Sequence, residues 1–214
     1  MLGKAPSWGE PPNNDVSDAA GNTAGGTGAL VSNTAGYYNT ASGFYALYAN
    51  TTGIANTAGG VSALFSNTTG GANTATGYLT LYANTQGTFN TASGFYALYA
   101  NTQGGVNTAS GAYALYANVS GGANTASGRF ALFSNTQGTF NTASGYEANA
   151  SAGDLVNATA IGARSLVNAS NKIRLGNTAV TVIEGQVPFT STSDKTKKEN
   201  FRPVDGEGEC SGYM

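Results

Sequence analysis

The chain has 214 residues, only 9% of them charged, a formal net charge of −2 and no histidine. This balance gives no electrostatic reason to expect nucleic acid or an anionic membrane as a partner. Low charge together with 12 Tyr, 9 Phe and 1 Trp argues against a solvated disordered chain.

Residues 1–20 carry Pro6, Pro11 and Pro12, a lone Trp8 and no repeat, and are expected to form an N-terminal attachment or flexible segment. An ordered cap is the alternative. Met1–Pro6 lacks the apolar core of a signal peptide, and no run is long and apolar enough to span a membrane. Cytoplasmic synthesis is therefore expected. A particle released by lysis would need no export signal, which is compatible with a virion or extracellular fibre.

From 21 to 145 the chain is a tandem repeat with a step of 17 residues. Asn-Thr-Ala begins at Asn22, Asn39, Asn56, Asn73, Asn90, Asn107, Asn124 and Asn141. A second asparagine column runs Asn33, Asn50, Asn67, Asn84, Asn101, Asn118 and Asn135. In phase with both are a leucine column (Leu30, Leu47, Leu64, Leu81, Leu98, Leu115 and Leu132) and a glycine column from Gly36 through Gly53 to Gly138. Seventeen residues are too few for a pair of helices, and Gly, Asn and Thr oppose helix formation. The repeat predicts an all-β fold, a parallel β-solenoid of about eight coils, elongated and self-associating. The asparagines are expected to form corner ladders, with amides bonding up and down each column.

Within one coil the longest strand is expected over Ala41–Ala49, and Gly53 is expected at a corner needing positive φ. Leu47 and its equivalents are followed by Tyr48, Phe65, Tyr82, Tyr99, Tyr116 and Phe133, with Val31 at the first position. Neighbours on a strand face opposite sides. The leucines should then fill the coil, and the aromatics should form an interchain face; a local bulge turning both columns inward is the alternative. Residues before Asn-Thr-Ala (Tyr38, Ala55, Ala72, Phe89, Val106, Ala123, Phe140) read as core filling by large and small side chains. The variable column Phe44, Val61, Tyr78, Phe95, Ala112, Arg129 reads as exposed.

Between Asp18 and Glu147 the only charged residue is Arg129. That stretch therefore holds no paired carboxylates, no carboxylate base and no carboxylate cage for calcium. Cys210 is the single cysteine and permits no internal disulfide or cysteine-rich zinc site. No metal, no cofactor and no enzymatic activity are expected. The Thr40, Thr57, Thr74 column is single on its expected strand, which weakens a reading as a surface that orders water or binds ice.

After Ser144 the repeat breaks, and 146–189 is expected to form further coils and a neck. Asn157-Ala-Thr-Ala-Ile-Gly162, continuing to Gly176, resembles the head repeats of trimeric autotransporter adhesins. That resemblance implies a left-handed parallel β-roll trimer, although the 17-residue step exceeds that family's usual turn. Gln186–Asp205 resembles the start of the endosialidase-type intramolecular chaperone that ends many phage tail fibres. It implies a self-cleavage dyad at Ser193 and Lys198, a lysine able to deprotonate the serine if burial lowers its pKa. The helical body of that domain does not follow. Residues 190–214 are accordingly expected to be a truncated, flexible start of it, and self-cleavage is not expected.

The composite expectation is a structural fibre or adhesin subunit, phage tail-fibre-like, that self-associates as a trimer and presents a surface to a cell-surface receptor or glycan. The alternatives are a self-assembling extracellular filament and an ice-binding solenoid.

Overall fold

The computed structural model describes residues 16–182. Among them there is no helix. Described residues 16–180 belong to one compact unit; of what lies beyond, only Thr181 and Val182 are described. Strands are very short. They are β1 (Val16–Ser17), β2 (Thr23–Gly25), β3 (Thr40–Ser42), β4 (Thr57–Gly59), β5 (Thr74–Thr76), β6 (Thr91–Ser93), β7 (Thr108–Ser110), β8 (Thr125–Ser127), β9 (Thr142–Ser144), β10 (Asn149–Ala150), β11 (Thr159–Ile161), β12 (Leu166–Val167) and β13 (Ile173–Leu175).

Apart from β1, which lies antiparallel on β2, the main sheet is parallel and in register, in the order β2 to β9, then β11 and β13. Thr40 pairs with Thr57, Ala41 with Ala58 and Ser42 with Gly59, and the same columns recur up the stack. β10 and β12 form a second, two-stranded parallel sheet. The fold is a parallel β-solenoid of about nine 17-residue coils. It is one coil longer than the repeat suggested, because Ala158-Thr159-Ala160 takes the place of Asn-Thr-Ala. Thr159 pairs with Thr142, and Ala158 N donates to Asn141 Oδ1 at 2.8 Å. The period that breaks in composition after Ser144 thus continues in register. Only the last coil shortens, Thr159 pairing with Ile173 across 14 residues.

The interior is thin and filled by small side chains. Ala41, Ala46 and Leu47 of each coil are buried, as are their equivalents. Burying a leucine this completely stabilises by roughly 1.5–3 kcal/mol, and one recurs in each coil from Leu30 to Leu132, after which Asn149 takes the position. At the one place where threonine replaces the core alanine, Thr80 is fully buried and its hydroxyl donates to Gly94 O at 2.7 Å.

The expected strand over Ala41–Ala49 does not form: the strand is Thr40–Ser42, and the residues after it turn. Tyr45 (φ 56°) and Leu47 (φ 51°) are both left-handed, as are most of their equivalents. Such residues cost roughly 1–2 kcal/mol each in isolation. Here the coils on either side hold them. Tyr45 N donates to Thr27 O of the preceding coil at 2.9 Å, and Leu47 N to Ala63 O of the following coil at 3.0 Å.

Two glycine columns serve different purposes. Positive φ belongs to Gly43 (141°) and its equivalents, at the end of the strand. The Gly53 column, expected to supply it, does not. A Cβ on Gly53 would instead strike Asn50 Oδ1 and the Gly70 carbonyl, so that position needs glycine for close approach.

Candidate functional site

The asparagine columns form two ladders. In the first, Asn56 N and Nδ2 both donate to Asn39 Oδ1 (3.0 and 3.1 Å), and Nδ2 also donates to Gly70 O at 2.8 Å. Asn39, Asn73, Asn90, Asn107 and Asn124 repeat the arrangement. In the second ladder, Asn67 Nδ2 donates to Asn50 Oδ1 at 2.7 Å and to Gly70 O at 3.0 Å. Asn84, Asn101, Asn118 and Asn135 follow suit. The two ladders therefore share one glycine carbonyl per coil. All these amides are buried and hydrogen-bonded within the chain. They set the geometry of the faces outside them.

The first face is the outer side of the main sheet. The Thr-Ala-Ser strands β3, β6, β7 and β8 are exposed, buried, exposed, while β9 is half-buried at Thr142. Thr40, Thr57, Thr74, Thr91, Thr108 and Thr125 form one outward rank, and Ser42, Thr76, Ser93, Ser110, Ser127 and Ser144 form a second. The threonine column thus runs beside a mainly serine rank that is broken at Gly59, and a Thr-x-Thr pair occurs only at Thr74 and Thr76. The hydroxyls of these two ranks make no hydrogen bond among the described residues. By contrast, Thr51, Thr68 and Thr85 each donate to a carbonyl of the next coil at 3.0–3.1 Å. At the C-terminal end the same two ranks turn apolar: Ile161 continues the serine rank, Leu175 lies above it, and Ile173 lies above Thr159. All three are exposed, Ile173 by 67%.

The second face is aromatic. Tyr48, Phe65, Tyr82, Tyr99, Tyr116 and Phe133 are half-buried and stack on one another, with ring centroids 5.0–5.3 Å apart and planes within 10°. Their ring faces are covered within the chain, and Leu47, Leu64, Leu81, Leu98, Leu115 and Leu132 lie buried beside them. A second column, Tyr96, Tyr113 and Phe130, stacks next to it at 5.1–5.4 Å. Sequence reading overlooked this column because Ser62 and Leu79 interrupt it. Burial, and then the neighbouring tyrosines Tyr78, Tyr99, Tyr113 and Tyr116, push the Tyr96 phenol above its ordinary value; burial, then Tyr82 and Tyr116, does the same to Tyr99.

The residues before Asn-Thr-Ala do not fill the core. Tyr38, Phe89, Val106 and Phe140 are 62–68% exposed, with φ between 57° and 61°. The left-handed backbone there swings the side chain outward. The variable column is exposed: Phe44, Val61, Tyr78, Phe95 and Arg129 all point out.

The charged groups gather near the C-terminal coils. Arg129 lies over the Phe130 ring at 4.4 Å and 6.0 Å from the Tyr146 ring, which Arg164 approaches at 5.7 Å. Arg164 Nε pairs with Glu147 Oε2 at 3.0 Å. Hydrogen bonds from Tyr146 and Arg164 hold the Glu147 carboxyl below the ordinary range. Among the described residues no cluster of three or more His, Cys, Asp or Glu could hold a metal, and no helix is long and apolar enough to cross a membrane. Ser193 and Lys198 lie outside the described residues. Comparison with protein-family models, curated proteins and solved structures finds no match.

Proposed function

We propose that this protein is a structural subunit of a fibre or adhesin, phage tail-fibre-like, in which copies associate as a homotrimer and present an outer surface to a receptor. One observation carries the reading. The main sheet offers a regular, uncharged outer face whose hydroxyl ranks lead into exposed Ile161, Ile173 and Leu175. An apolar patch on a repetitive face is a place for self-association. Small hydroxyl side chains let two such faces approach closely. The stacked Tyr48–Phe133 column already spends its ring faces within the chain, so the sheet face is the better interchain surface. Such a rod would act on a virion or outside a cell, and its role is mechanical and adhesive, not catalytic.

Mass photometry of the full chain tests this. A discrete trimer that Ile173→Glu shifts to monomer is expected. A monomer at micromolar concentration would sink the reading, and open-ended polymers would favour a filament. The dyad implied by the chaperone resemblance is tested by comparing the chain mass of Ser193→Ala with the parent; equal masses are expected.

The paired hydroxyl ranks favour a second reading, a surface that orders water. Their spacings, ~4.8 Å between coils and ~6.7 Å along a strand, form a two-dimensional grid. Ordinary ice growth in supercooled water containing the protein would end that reading.

A further inference from the structure

Five tyrosines gather on the aromatic face within three successive coils. Tyr82, Tyr99 and Tyr116 stand in the first column, and Tyr96 and Tyr113 in the second. Tyr82 and Tyr99 stack with centroids 5.3 Å apart and planes 8° apart; Tyr99 and Tyr116 do so at 5.3 Å and 7°, and Tyr96 and Tyr113 at 5.4 Å and 2°. Within a coil, Tyr96 lies 5.1 Å from Tyr99, and Tyr113 lies 5.7 Å from Tyr116. The five phenols are thus one cluster. Phe65 closes it at one end, and Phe130 and Phe133 close it at the other. Tyr78 touches its edge, 5.7 Å from Tyr96, but stacks on Phe95. The rings are half-buried. Their hydroxyls make no hydrogen bond among the described residues, where no buried polar side-chain atom lacks a partner, so the hydroxyls reach solvent.

This arrangement suits one reaction of phenols. One-electron oxidation of a tyrosine releases its hydroxyl proton to solvent and leaves a radical shared between the oxygen and the ortho carbons. Two such radicals join by a carbon–carbon bond between ortho carbons. The two ortho hydrogens then move to the oxygens and restore both phenols. Each cross-link therefore gives up two electrons and two protons. A peroxide takes the electrons: hydrogen peroxide with two protons becomes two waters, and persulfate becomes two sulfates. Stacking holds the partners together, which makes their coupling effectively unimolecular. The rings must tilt for their ortho carbons to meet, and their solvent side leaves room for that. Phenylalanine has no hydroxyl and ends the reactive run. Exposure alone would select other residues: Tyr38 is 68% exposed and Tyr37 43%, and they meet edge-on at 82°.

We propose that Tyr82, Tyr96, Tyr99, Tyr113 and Tyr116 form an oxidative cross-linking site, at which a peroxide-driven one-electron oxidant joins tyrosines of successive coils as dityrosine. Tyr82 with Tyr99, Tyr99 with Tyr116 and Tyr96 with Tyr113 are the pairs, each 17 residues apart. Each bond staples one coil to the next. The site lies within one chain and is independent of how copies associate.

Photo-oxidation of the dilute full chain with tris(bipyridyl)ruthenium(II) and persulfate tests this, with dityrosine fluorescence and the mass of the denatured chain as readouts. Products of single-chain mass, two hydrogens lighter for each cross-link, are expected. Replacing all five tyrosines by phenylalanine should lower their yield about fivefold or more; the two columns already hold phenylalanine at Phe65, Phe130 and Phe133. Tyr37→Phe with Tyr38→Phe should leave the yield unchanged. Unfolding the parent in urea before oxidation should lower it as the five replacements do, which tests the stack without any variant. The proposal is overturned by an equal yield in urea, by a yield that survives the five replacements, by one that falls with Tyr37 and Tyr38, or by products of double-chain mass alone.

Discussion

The Asp18 carboxylate forms the lowest rung beneath Asn22. Asp18 Oδ1 accepts from Asn22 N and Oδ2 from Asn22 Nδ2, both at 2.9 Å. This copies the way each asparagine receives the next, and Ala20 N adds a third donor to Oδ1. With Val16–Ser17 antiparallel on β2, the segment just before the repeat closes the ladder as an ordered cap. At the other end Ala152 stands where the second ladder would continue, and Asn141 Nδ2 turns to Asn135 Oδ1 at 3.2 Å, joining the two ladders.

Asp18 gives the cap a pH dependence. Burial raises its pKa, but the hydrogen bonds from Asn22 and Ala20 outweigh it and the net shift is downward. A depressed carboxyl contributes stability that is present above its unfolded value and lost as pH falls through the lowered folded value. Asp18→Asn should therefore reduce the loss of thermal stability on acidification while lowering stability near neutrality by less than about 1 kcal/mol, because the site is exposed. Melting curves of both proteins across the acid range check this.

Removing a central rung should be far more damaging than removing the cap. Asn90→Ala removes one of the two donors to Asn73 Oδ1 and one of the two to Gly104 O, and leaves the buried Asn107 N and one Nδ2 proton without their acceptor. Each buried group left unpaired costs roughly 1–3 kcal/mol. Denaturant unfolding should show a loss of several kcal/mol for Asn90→Ala and a smaller one for Asn22→Ala, whose neighbours are partly exposed.

Glycine substitutions should separate by column. Gly87→Ala places a Cβ against Asn84 Oδ1 and the Gly104 carbonyl, where both ladders meet. Gly59→Ala meets nothing within 4 Å and stands in the rank that carries serine elsewhere. Thermal melts should show Gly87→Ala strongly destabilised and Gly59→Ala within about 0.5 kcal/mol of the parent.

Alkaline titration reports on the aromatic stack. Tyr96 and Tyr99 carry raised phenol pKa values, from burial first and then from neighbouring tyrosines. The neutral ring is favoured in the folded chain. The associated stability is complete below the unfolded phenol value and is lost as pH rises through the folded one. Tyrosinate absorbance should show a late-titrating fraction that disappears in denaturant, and Tyr96→Phe with Tyr99→Phe should shrink it.

Fold class, coil length and both asparagine ladders were legible in the sequence because a strict period is one-dimensional information. A residue that recurs every 17 positions must stack on itself if the coils stack in register. The leucine interior followed from the same rule. Which residues face outward did not follow, because the period-two rule holds only where the backbone is extended. The left-handed residues at Tyr45 and Leu47 end the strand at Ser42.

Only the tertiary structure paired the threonine rank with the serine rank, exposed Tyr38, Phe89 and Phe140, and stacked the aromatic rings. These depend on the sign of φ at a few turn positions, held there by backbone bonds to the coils above and below. No residue carries that sign by itself. The sequence determined that the chain coils and how long each coil is. The stacked coils decided what each corner shows to a partner.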